Sequence, residues 1–152
     1  MAAWFKENAS THYESALAPT ANKADADKVN AALAAFGASS SCHLGLSLQK
    51  FDGGFQYQDT FIGLSVDRIS EVGAEKGLAA RKILPFASDE ESLLCLQLGD
   101  DGSESVIVFD PSEGSVDENL NMTYGQYLES IRQKLLTRKL CYEDGLGLVS
   151  VA

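Results

Sequence analysis

Leu93-Leu94-Cys95-Leu96-Gln97-Leu98, the connection Gly99-Asp100-Asp101-Gly102-Ser103-Glu104 and then Ser105-Val106-Ile107-Val108-Phe109 together decide the fold. Two apolar runs of strand length around a polar, glycine-bearing connection predict an antiparallel hairpin. Upstream, Leu84-Pro85-Phe86-Ala87 reads as extended, because proline disfavours helix at the residue before it and has no donor of its own; an edge strand suits it. Phe55, Tyr57, Phe61, Ile62, Leu64 and Val66 predict two more strands around a turn at 58–60, with 66–75 passing into a helical turn.

Helical patterns flank these strands. Residues 2–17 mix Trp4, Phe5, Tyr13 and Leu17 with polar positions and predict a short helix stopped by Pro19. Residues 20–35 carry Asp25 and Asp27 near the positive end, a stripe of Ala24, Val29, Leu33 and Phe36, and a break at Gly37. Ser39-Ser40-Ser41 offers capping hydroxyls to a second stripe, Leu44, Leu48 and Phe51, which closes on Asp52-Gly53-Gly54. Residues 123–141 place Tyr124, Tyr127, Leu128, Ile131, Leu135 and Leu136 on one face, with Arg132, Lys134, Arg138 and Lys139 toward the negative helix end. A last short strand is expected within 146–151, weakened by Gly145 and Gly147. Helices, then strands, then a helix, with little alternation, give an α+β fold: one domain spanning 1–152.

A chain of 152 residues and 16.3 kDa, 45% hydrophobic and 22% charged, has an ordinary globular composition. The surface scaling laws give about 24,000 Å² unfolded and about 7,500 Å² folded, so a core forms without disulfides. Cys42, Cys95 and Cys141 are odd in number and widely spaced, which predicts reduced thiols and neither a disulfide framework nor a zinc site. No run approaches a membrane span, and the start lacks the layout of a signal peptide, so the expected location is the cytoplasm.

The net charge is −10. Residues 1–82 hold 9 acids and 8 bases, residues 83–131 hold 11 acids and no Lys or Arg, and residues 132–152 hold 2 acids and 4 bases. Nearly all the excess negative charge thus belongs to one stretch that also contains the strands, which places the acids on loops and solvent faces. Solubility alone accounts for such loops; a docking face for a basic protein is the functional alternative. The balance argues against nucleic acid or an anionic membrane as the main partner, since both select clustered Lys and Arg.

Catalytic patterns are absent. His12 and His43 have no evident partner, and Cys42-His43 are neighbours in a helix start, whereas a nucleophile and its base are assembled in space. Gly45-Leu46-Ser47 and Gly63-Leu64-Ser65 match only the beginning of a nucleophile elbow, and no phosphate loop or dinucleotide fingerprint is present. Asp100-Asp101-Gly102-Ser103-Glu104 lacks the alternate acids and distal glutamate of a calcium loop. Asp89-Glu90-Glu91 reads as surface charge rather than a carboxylate acid/base pair. No catalytic residue, metal or cofactor is therefore expected.

The order of these elements resembles the SUKH superfamily, which includes fungal Smi/Knr cell-wall regulators and many bacterial immunity proteins. Helix 25–36 and helix 44–51 lead to Phe51-Asp52-Gly53-Gly54, similar to the family's "nGG" turn. Phe61-Ile62-Gly63-Leu64-Ser65 and the following Ile69-Ser70-Glu71-Val72 resemble its strand and "sl.ei" segment. Leu84-Pro85-Phe86-Ala87 is similar to its "ipfa" strand, 106–110 to its later strand, and Tyr124-Gly125-Gln126-Tyr127-Leu128 to the opening of its last helix. The resemblance covers about 25–141 and leaves 1–24 as an N-terminal extension. The family's Leu-Pro is missing from 39–45, and Ser88-Asp89-Glu90-Glu91-Ser92 replaces its "dg.gd" turn.

The resemblance implies a mainly antiparallel central sheet with helices around it, used for protein binding rather than catalysis. Bacterial members neutralise toxins, nucleases among them, which grip phosphates with Lys and Arg. The expected function is an immunity protein whose acidic surface covers such a basic site, with Asp89, Glu90, Glu91, Asp100, Asp101 and Glu104 as contacts because they lie on polar connections. The alternatives are a regulatory scaffold that binds through an apolar groove, like the fungal members, and a small enzyme using Cys42, His43 and the acid clusters.

Overall fold

The structure, a computed structural model, describes residues 1–17 and 23–152. In chain order it comprises α1 (Ala2–Asn8), α2 (Ser10–His12) running into a π-helical turn (Tyr13–Leu17), α3 (Ala26–Ala34), α4 (His43–Lys50), β1 (Ile62–Gly63) and α5 (Val66–Glu75). A 3-10 turn (Ala79–Arg81), β2 (Ile83–Ser88), β3 (Leu93–Leu98), β4 (Glu104–Asp110), β5 (Ser115–Asn119), α6 (Tyr124–Leu136), β6 (Leu140–Glu143) and β7 (Gly147–Ser150) follow. β1 to β5 form one antiparallel sheet in sequence order, and β6 and β7 form a separate hairpin. The class is α+β, with α5 packed against β2 and α6 against β4 of an antiparallel sheet.

The predicted hairpin is the centre of that sheet, pairing Leu94 with Val108 and Leu96 with Val106 on one face, and Leu93 with Phe109 and Cys95 with Ile107 on the other. Seven of these eight side chains are buried and Val108 is half-buried, so each face must be covered. α6 covers one: Phe86 of β2 meets the rings of Tyr124 and Tyr127 at 5.3 and 6.4 Å. On the other, the Arg81 guanidinium lies 5.3 Å from the Phe109 ring centre, and Gln97 donates to the Arg81 carbonyl. Full burial stabilises by about 1.5–3 kcal/mol per large apolar side chain, so the seven buried side chains of this hairpin are a substantial part of the core.

Several expectations are corrected. β2 is second in the sheet, not an edge strand; Pro85 is accommodated because β1 pairs only with Ala87 and Ser88 and the register shifts between Pro85 and Ala87. The two strands around 58–60 shrink to β1 and one bridge, Gln56 to Ile62. There the buried Gln56 carboxamide donates to the carbonyls of Tyr57, Asp59 and Phe61, holding the loop closed without a ladder. The last helix ends at Leu136 rather than near 141: Arg138 is left-handed at φ 56°, and 140–143 turn back as β6. Arg138 and Lys139 therefore do not sit on the last helical turn. α4 is capped by the Cys42 sulfur, which accepts from the Gly45 N–H at 3.2 Å, and not by the serines before it. The first segment is interrupted at Ala9 rather than continuous to Leu17. α3 begins at Ala26, capped by Asp25; the expected start at 20–22 and the stop at Pro19 lie outside the described residues.

The Asp52-Gly53-Gly54 turn ties α4 to α5. Asp52 is buried and its Oδ1 accepts from the Val66 N–H at 2.7 Å, while the Ser65 hydroxyl accepts from the Arg68 N–H. Two caps thus serve one helix start. Gly53 has φ 87°, and a Cβ there would lie 2.8 Å from the Ser65 nitrogen. Gly37 has φ 84° but open space around it. Gly53→Ala is therefore expected to lose more stability than Gly37→Ala, which meets only the left-handed penalty of roughly 1–2 kcal/mol. Urea denaturation of the two variants measures the difference.

Candidate functional site

Turns in an antiparallel meander fall alternately at the two ends of the sheet, and this parity separates the six acids singled out by sequence. Asp89, Glu90 and Glu91 lie in the β2–β3 connection, whereas Asp100 and Asp101 lie in the β3–β4 connection and Glu104 opens β4. The two groups stand at opposite ends of β3, roughly 20 Å apart. They do not form one patch.

The group at the far end is occupied by the fold. The Asp100 carboxylate pairs with Lys82. Asp101 accepts from the Ser103 N–H at 3.0 Å, and the Ser103 hydroxyl and backbone lower its pKa. Glu104 is half-buried, and its Oε2 accepts from the Tyr124 N–H at 3.3 Å at the start of α6. There it joins the Thr123–Gln126 capping box in meeting the unpaired donors and positive dipole end of that helix.

At the near end, the β4–β5 turn joins the first group, because Ser88, Leu93, Phe109 and Val116 are paired in one continuous row. Two strand spacings, about 10 Å, separate the turns. Asp89 Oδ1 accepts from the Glu91 and Ser92 N–H groups at 2.8 and 2.7 Å. Asp110 Oδ1 does the same for Ser112 and Glu113, and the Ser112 hydroxyl, with those N–H groups, holds the Asp110 carboxyl below the usual carboxylate range. Each turn is thus braced by its own aspartate. Glu90, Glu91 and Glu113 are exposed and, among the described residues, form no ion pair. Arg81, which reaches the β4–β5 turn, is engaged with the Gly114 carbonyl and the Phe109 ring.

Apolar side chains accompany these carboxylates. Ile62 is 45% exposed opposite Ser88, and Val116 is 43% exposed opposite Phe109. Leu146, 51% exposed at the tip of the β6–β7 hairpin, shares with Ile62 and Asp89, Glu90 and Glu91 a groove of about 730 Å³. Sequence reasoning did not select Ile62, Asp110, Glu113, Val116 or Leu146 as site residues. The turn parity of the strands is the signal that groups them.

The residues considered for chemistry take structural places. The Cys42 sulfur caps α4, and the His43 ring rests against Gly125 of α6, where a Cβ would come within 2.7 Å of its Nδ1. Cys95 is buried and burial raises its thiol pKa. His12 lies between Phe5 and Tyr142, the latter ring stacked at 5.2 Å, and its buried Nε2 has no hydrogen-bond partner. Among the described residues, no group of His, Cys, Asp and Glu side chains is arranged to hold a metal ion, and no helix is long and apolar enough to cross a membrane. The chain matches no protein-family model and no curated protein.

Glu104→Ala is expected to cost about 1 kcal/mol by uncapping α6, while Glu90→Ala leaves the melting curve unchanged. Burial lowers the His12 pKa despite the opposing charge of Asp144, so the folded protein prefers the neutral ring. Its contribution is intact above the unfolded histidine pKa of about 6.5 and is lost as pH falls below it. His12→Phe should flatten the stability profile between about pH 7 and 5, read by thermal melts.

Proposed function

We propose that the chain is a non-catalytic protein-binding domain that captures a cationic protein at the near end of its sheet, acting as an immunity protein of the SUKH kind. The observation that carries this reading is the conjunction at that end of two braced acidic turns with the exposed side chains of Ile62, Val116 and Leu146. Apolar groups supply contact area, and the surrounding carboxylates select a basic partner and speed its approach. Turns already fixed by Asp89 and Asp110 lose little conformational entropy on binding. The contacts proposed are Glu90, Glu91 and Glu113 with the three apolar residues. Of the sequence-based set, Asp89 contributes by bracing its turn, and Asp100, Asp101 and Glu104 stand at the other end of the sheet. A toxin nuclease fits as partner because its substrate site must be cationic and open.

The test uses the product of the gene adjacent to this protein's own as partner, with association followed by surface plasmon resonance at low and high salt. Glu90→Lys/Glu91→Lys/Glu113→Lys should lower the association rate about tenfold at low salt and flatten its salt dependence. Asp100→Lys/Asp101→Lys should change it much less. No association, or equal losses from the two sets, overturns the reading.

A further inference from the structure

A second concavity lies away from the acidic end. Between α4 and α6 a cleft of about 350 Å³ is lined by the buried side chains of Leu44, Leu48, Tyr57, Phe86 and Tyr124 and the half-buried Leu128. The Tyr57 and Tyr124 hydroxyls share one hydrogen bond at 2.7 Å, Tyr124 is also hydrogen-bonded with Ser47, and burial, then the partner hydroxyl, drives the Tyr57 pKa upward. Both rings stay neutral at physiological pH, so the depth of the cleft carries no charge and is lined by aromatic and aliphatic side chains.

The mouth has the opposite sign from the rest of this acidic protein. Lys50 and Arg132 both line it and are exposed. Glu129 pairs with Arg132 at 3.0 Å and also feels the Met1 ammonium, whereas Lys50 forms no ion pair among the described residues, leaving its own charge uncompensated beside the apolar cleft. We infer that this cleft binds a small monoanion with an apolar body, such as a medium-chain or aryl-substituted carboxylate, its body among Leu44, Leu48, Phe86 and Leu128 and its carboxylate at Lys50.

Volume and charge support this occupant. A space near the lower end of the range for ligand pockets suits about ten heavy atoms, too little for a docked helix. The uncompensated ammonium at the rim distinguishes an acid from a neutral or cationic molecule of the same shape. The inference is independent of the acidic sheet end and survives failure of the docking proposal.

Titration of the full chain with octanoate, 3-phenylpropionate and 1-octanol, followed by amide NMR shifts, tests it. Saturable shifts confined to α4, α6 and 51–64, with Kd below about 1 mM for at least one acid, are expected. The acid that binds tighter distinguishes an alkyl from an aryl body. Lys50→Glu should weaken that acid roughly fivefold or more while leaving 1-octanol within about twofold. Leu128→Trp should abolish binding of both with a native melting curve; if that variant unfolds, Ser47→Phe fills the same cleft from α4. Absence of saturable shifts, shifts located elsewhere, acid binding unaltered by Lys50→Glu, or binding retained in a folded cleft-filling variant overturns the inference.

Discussion

Leu94 and Leu96 point to one face of the sheet, Leu93 and Cys95 to the other, and all four are buried. A strand buried on both faces cannot stand in a one-sided sheet; it obliges the chain to bring cover from both sides. α6 and the aromatic cluster around Phe86 supply one cover, and the turn before β2, with Arg81 over Phe109, supplies the other. The Asp52-Gly53-Gly54 turn then fixes where α5 starts, and with it the approach of the chain to that second face.

This constraint also divides the charge. With the interior of β2 to β4 given to apolar residues, carboxylates of the acidic stretch are left the turns, the edge strand β5 and the helix surface. The strict alternation of turns sends them to opposite ends. At one end they are absorbed by Lys82, Ser103 and the α6 N-terminus. At the other, Asp89 and Asp110 brace their turns and Glu90, Glu91 and Glu113 remain outward, beside apolar side chains that the fold leaves exposed. The same formal charge thus meets a helix start and a lysine at one place, and at the other braces two turns while Glu90, Glu91 and Glu113 stay exposed.

The α4–α6 cleft has a different origin. Tyr57 arrives on a loop held by Gln56, Tyr124 begins α6, and their hydroxyls meet across 67 positions of sequence. The cleft that both rings line opens beside Lys50 and Arg132.

The sequence by itself determined the α+β class, the central hairpin, the start of α6 and the charge imbalance, because each is written in local spacing: alternating or continuous apolar runs or a cap. β5 escaped because all five of its residues are exposed and it exists only by pairing with β4. β6 escaped because Leu140 and Cys141 continue a helical stripe until Arg138 reverses the chain, a conformation that no glycine announced. Which carboxylates stand together was decided by tertiary structure alone. Distance along a chain does not fix distance in space, and only the pairing of strands assigns each turn to an end of the sheet and each acid to a neighbour that uses it or leaves it free.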